Sequence, residues 1–148
     1  MSLPYPKVFP PVSPKELEDL NLLRNMVADN AKDKGFRDVL RDSMTEEQWN
    51  GTLGKMVRAA VFTANLHGEA SEFWEAFRAG KLEQPCDKAE KMKELGLPPL
   101  TCAAEEIADV IIRTLDQAEA YGVDVAEAVA VKMSFNSTRE HLHGNKKA

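Results

Sequence analysis

The chain has little that would tie it to a membrane, an oxidising compartment or a nucleic acid. It holds two cysteines in 148 residues, Cys86 and Cys102, with no metal-type pairing between them. That excludes a disulfide framework and makes a reducing, cytoplasmic setting the expectation. No stretch approaches the roughly 18 consecutive apolar residues of a spanning helix, so no membrane segment is expected. The opening MSLPYPKVFPPV lacks a basic end followed by an apolar run, so it does not read as a secretory signal. A basic excess is also missing: the net charge is −5, which argues against a partner held through its phosphate backbone, such as DNA or RNA. Two-residue alternation of apolar and polar residues is absent, and so is any internal repeat.

What is present is helical. Pro4, Pro6, Pro10 and Pro11 make residues 1–13 an extended arm. Residues 14–148 then fit one all-α domain. Ser13, Pro14 and Glu16 combine an N-cap, a proline at the first helical position and a capping-box acid, opening a helix to about Lys32. Gly35 ends it, and FRDVLRD allows a short turn of helix. Thr45 with Gln48 opens a segment reaching Ala79, which Gly51 and Gly54 divide into two pieces. Gly80 starts a linker to Leu100, a lid or a plain surface loop, with one short helix near Lys88 to Leu95. Thr101 caps a helix that stops at Gly122, and Asp124 with Glu127 caps the last, to about Glu140. Four main helices packed as a bundle follow from this order.

Charge is unevenly spread. Between Glu105 and Glu127 stand seven acids and one base, Arg113; from Lys132 onward stand four bases and one acid, Glu140. In NLHGEASEFWEAFRAG, Phe62, Leu66, Phe73 and Phe77 recur at helical spacing, and Glu69 interrupts their line. Glu72 lies three residues on, on the same helical surface. Glu106 and Asp109 repeat that spacing on the next long helix. Two such pairs facing each other across a bundle repel unless a cation neutralises them. An all-oxygen set suits a hard ion, Mg²⁺ or Mn²⁺. The alternative for the second pair is a solvated polar face, with Asp109 and Arg113 an i,i+4 surface pair. On the last helix Val125, Ala128 and Val129 begin a core stripe that Lys132, Asn136 and Arg139 continue, so its far half is expected to turn cationic beside a cleft and hold phosphate oxygens.

GEASEFWEA, EEIADVIIR and KMSFNSTREHLHGNKK together resemble the MazG-like all-α nucleoside triphosphate pyrophosphohydrolases, over roughly Phe62 to the C-terminus. The resemblance implies Mg²⁺-dependent cleavage of a (d)NTP to the monophosphate and pyrophosphate, a house-cleaning role on the nucleotide pool, and a dimer or tetramer. It implies metal ligation by Glu69, Glu72, Glu106 and Asp109, a water-orienting base in Glu72 or Glu105, and nucleotide contacts from Lys132, Asn136 and Arg139. One departure stands out: many members place a second acid before the first ligand, and here that position is Gly68. Trp49 and Trp74 are large apolar residues able to pack or to stack on a base. The competing reading is a non-catalytic helical assembly or interaction protein whose acids are a solvated face. A ferritin-like di-iron carboxylate protein is disfavoured, because the Glu-x-x-His spacing occurs only at Glu140 and His143, in the tail.

Overall fold

A computed structural model describes residues 13–138, which form seven helices and no strand. The first, α1 (Pro14–Asp33), opens on a reciprocal capping box: Glu16 N–H donates to Ser13 Oγ, and Ser13 N–H to Glu16 Oε2 at 2.7 Å. Gly35 follows at φ +71°, and α2 (Asp38–Asp42) is a single turn. Thr45 and Gln48 cap α3 (Glu46–Asn50) in the same reciprocal way. The expected division falls at Gly51, and α4 (Thr52–Arg78) runs on from there. Gly54 shows why the division is sharp. A Cβ there would sit 2.4 Å from the Gln48 carbonyl and 2.5 Å from that of Trp49, so only glycine lets α3 fold back onto α4.

The linker is pinned down along its length. Cys86 N–H donates to the Leu100 carbonyl at 3.0 Å and Cys102 N–H to the Gln84 carbonyl at 2.9 Å, closing a loop around α5 (Ala89–Glu94). Thr101 Oγ1 then caps α6 (Cys102–Ala120), which ends through Gly122 at φ +64°. Asp124 caps α7 (Val125–Ser137) by accepting from Glu127 N–H at 2.9 Å. Residues 1–12 and 139–148, and with them the proline-rich arm and the tail histidines, lie outside the described residues.

The central helix is α6. It packs most extensively on α4 and nearly as much on α1, while α7 lies against α1 and α3 against the start of α4. The contacts are made by small residues, Ala28 and Ala31 on α1, Ala118 on α6, and Ala126 and Ala130 on α7, with Leu115 between them. Small faces let helix axes approach closely. Two departures from expectation follow, the first explained by that close approach. The packed stripe of α7 is Ala126, Ala130 and Ser134, and Ala128 and Val129 are exposed. On α4, Phe62, Leu66 and Phe73 are half-buried as a core line should be, but Phe77 is 54% exposed and stacks on Trp74 with ring centroids 5.2 Å apart. Among the described residues no large side chain is fully buried, and Met26, Met56, Ile107, Ile111 and Phe135 all stay exposed. No helix here is long and apolar enough to cross a membrane.

Polar ties fix the register of α6. Arg37, in the turn before α2, donates to the carboxylate and the carbonyl of Asp116, and to Glu119 Oε2 at 2.9 Å. Lys32 adds a second contact to Glu119 at 2.9 Å.

Candidate metal centre

The α4–α6 pairing decides what the acids meet. The two helices run antiparallel: Phe62 on α4 meets Tyr121 just past α6, ring centroids 6.2 Å apart, and Glu69, later on α4, meets Arg113, earlier on α6. Residues of rising number on α4 therefore oppose residues of falling number on α6. Glu72 comes opposite Glu106 and Glu69 opposite Asp109. The electrostatics carry the same pairing. Burial pushes the Glu106 carboxyl above its ordinary value, and the charge of Glu72 adds to the rise, followed by those of Glu105 and Asp109. Asp109 is raised in the same sense, first by burial and then by Glu69.

Carboxylate oxygens of Glu69, Glu72 and Glu106 all lie within 4.8 Å of one another. Glu69 is 9% exposed, Glu106 half-buried and Glu72 at the open side. Asp109 stands beside this trio and not in it, lining a recess with Asn30, Phe36 and Asp116. A buried carboxylate on an apolar line needs a partner. For Glu69 it is Arg113, whose Nε donates to Oε1 at 2.8 Å. The alternative surface pair of Asp109 with Arg113 does not form; Arg113 reaches across to α4, where the more deeply buried acid is. Of the four carboxylates only Glu69 is bonded to a cation among the described residues, and the charge of Lys88 also reaches Glu106 and Asp109. An all-oxygen trio in negative excess fits a hard divalent cation, which Glu69, Glu72 and Glu106 would hold.

Glu105 borders these acids, its charge acting on both Glu106 and Asp109, but its own bond runs to the linker. It is 6% exposed and accepts from Lys88 Nζ, a residue in the linker that its sequence context does not mark out. The bond to Glu105 raises the Lys88 ammonium above its ordinary value. Cys86 and Asp87 lie close to the same carboxylate. Burial pushes the Cys86 thiol up, away from thiolate character.

Lys132 and Asn136 are not brought to the acids. Both are exposed on α7, and the Lys132 ammonium sits 5.1 Å from the centroid of the Phe135 ring. Neither makes an ion pair or side-chain hydrogen bond with the described acids of α4 or α6. Arg139 lies outside the described residues. Trp49 is half-buried with the Arg58 guanidinium 4.3 Å from its ring centroid, whereas Trp74 is exposed.

No protein-family model, curated protein or solved structure matches this chain.

Proposed function

We propose that the chain is a divalent-cation-dependent nucleoside triphosphate pyrophosphohydrolase of the MazG-like kind, converting a (d)NTP and water to the (d)NMP and pyrophosphate. The observation that carries this is the convergence of Glu69, Glu72 and Glu106 from two antiparallel helices within 4.8 Å. The ordered set of motifs in the sequence supports it, with Mg²⁺ as the expected ion and Mn²⁺ as a substitute.

A hard divalent cation held there supplies charge neutralisation of phosphate oxygens and a more acidic water. The chain's own groups do the rest. Arg113 fixes Glu69 in one orientation through Nε, leaving the second carboxylate oxygen for a ligand. Glu105 is engaged by Lys88, so Glu72, at the open side, is the acid placed to take the proton from an attacking water. Water oxygen bonds to the α-phosphorus, the bond to the bridging oxygen breaks, and pyrophosphate leaves with the electron pair. Lys132, Asn136 and Arg139 keep their proposed role on the phosphates, and for the first two this requires approach of α7 from another copy or with bound substrate.

The test is incubation with Mg²⁺ and a panel of canonical and modified (d)NTPs, with products identified by phosphorus NMR. Monophosphate and pyrophosphate are expected. Orthophosphate with a diphosphate would contradict the bond assignment.

Assembly as a dimer or tetramer belongs to the same proposal. Exposed Leu, Ile, Met and Phe side chains on all four long helices support this, since apolar faces of that kind are commonly covered by a second copy. Light scattering should return a multiple of the 16.4 kDa chain mass at micromolar concentration. A stable monomer would defeat this. The same exposed faces favour the second reading, a non-catalytic helical assembly protein, which an oligomer without turnover on any (d)NTP would support.

A further inference from the structure

We infer that Lys88 contacts the triphosphate of the bound nucleotide, so that the linker supplies a cation that α7 of the same chain does not bring to the acids. The inference rests on the pyrophosphohydrolase reading above and adds a substrate contact to it.

A triphosphate carries more negative charge than one divalent ion neutralises, so its site calls for a cationic side chain as well. Among the described residues, two such side chains reach the α4–α6 acids. Arg113 is one, and its Nε is taken by Glu69. Lys88 is the other. Its Nζ donates to Glu105 in the first turn of α6, and its charge acts on Glu106 and Asp109 as well. Along α6, Glu106 and Asp109 lie between Glu105, where the ammonium is, and Arg113. Rising numbers on α4 and falling numbers on α6 both lead to the linker, so Glu72 and Glu106 are the acids nearest to it.

The ammonium has capacity to spare. It offers three donors, and among the described residues only Glu105 accepts from it. The Lys88 side chain is 60% exposed, and the exposed Glu72 leaves the same end of the trio open to solvent. The backbone under Lys88 is fixed. Cys86 and Ala89, on either side of it, are 5% and 2% exposed, and the Lys88 carbonyl accepts from Met92 N–H at 2.9 Å. A charged head on an anchored stem is what a phosphate contact requires.

A bland role competes with this one. Glu105 is buried, and Lys88 could serve only as its counter-charge. The two roles differ in what they predict for metal and for phosphate.

Lys88→Gln separates them, since glutamine keeps a donor and drops the charge. Calorimetry measures Mg²⁺ alone, then the preformed complex of Mg²⁺ with inorganic triphosphate, a probe without a base. The complex is expected to bind on the order of tenfold to a hundredfold more weakly. Mg²⁺ alone should bind at least as tightly as to the parent, because a cation beside its ligands has gone. Lys88→Arg should recover most of the loss. Glu105→Gln, which frees the ammonium, should bind the complex no more weakly than the parent. With (d)NTPs, Lys88→Gln should raise KM by a similar factor whatever the base. If Lys88 only counters Glu105, Mg²⁺ and the complex weaken together, and Glu105→Gln weakens the complex as much as Lys88→Gln does. That pattern overturns the inference, and so does a parent that fails to bind the complex. Hydrolysis of (d)NTPs by Lys88→Gln with a parent-like KM overturns it too and leaves the hydrolase reading standing. Binding of the complex lost in Lys88→Gln, with no hydrolysis of any (d)NTP by the parent, upholds the contact and removes the hydrolase.

Discussion

Glu72→Gln is expected to lower kcat/KM for the preferred triphosphate on the order of a hundredfold or more, with the fold intact. The size follows from the role. Partners that only orient a metal ligand are worth about 10–100-fold, and a direct ligand that also takes the proton belongs at or beyond the upper end. The fold survives because Glu72 is exposed, has no hydrogen bond to the described residues, and is replaced by a side chain of the same shape. Its charge is one of those that push the Glu106 carboxyl up, so removing it relieves repulsion in the metal-free protein. The metal-free variant should therefore melt no lower than the parent, while calorimetric titration shows weakened Mg²⁺ binding. Parent-like turnover and metal binding would make Glu72 plain surface charge.

Arg37→Met should cost about 2–3 kcal/mol of stability, the largest loss expected from a single change of a polar residue here. Asp116 is 8% exposed and takes both its side-chain and carbonyl contacts from Arg37. Breaking a buried pair from one side costs about 3–5 kcal/mol, because the remaining charge is left uncompensated. The lower figure applies because Arg37 is itself partly exposed and methionine keeps the packing of its stem. Glu119 gives the change a pH signature. Lys32 first, and Arg37 after it, hold its carboxyl below the ordinary value of 4.5. A carboxyl depressed on folding contributes stability that is complete above its unfolded value and disappears as pH falls through its folded value. The gap between parent and Arg37→Met should be widest near neutrality and narrow below about pH 4.5. Urea melts at pH 7 and pH 4 measure it. Equal midpoints at pH 7 would show that the Arg37 contacts contribute nothing net.

Helix ends were legible in the sequence because caps are local. Ser13 with Glu16, and Thr45 with Gln48, form the boxes their spacing implies, and Gly51 divides the second segment as expected. Glu69 was legible as an anomaly, an acid on an apolar line. Its partner was not, because spacing along one helix pairs Arg113 with Asp109, whereas burial draws Arg113 to the acid across the interface. Lys88 had no signal: it reaches Glu105 only because the linker folds back through the Cys86 and Cys102 backbone bonds. The α7 stripe was misassigned because valine outranks alanine in hydrophobicity, while close approach to α1 selects the alanine face. That choice also places Lys132 and Asn136 away from the acids of their own chain.

Anomalous diffraction from crystals soaked in Mn²⁺ tests the central claim most directly, since it locates the ion without reference to activity. A difference peak bounded by the carboxylates of Glu69, Glu72 and Glu106 is the expected result, strengthened when a non-hydrolysable nucleotide is present. A fully occupied soak with no peak at that trio, or with its ion between Cys86, Asp87 and Glu105 instead, would contradict it.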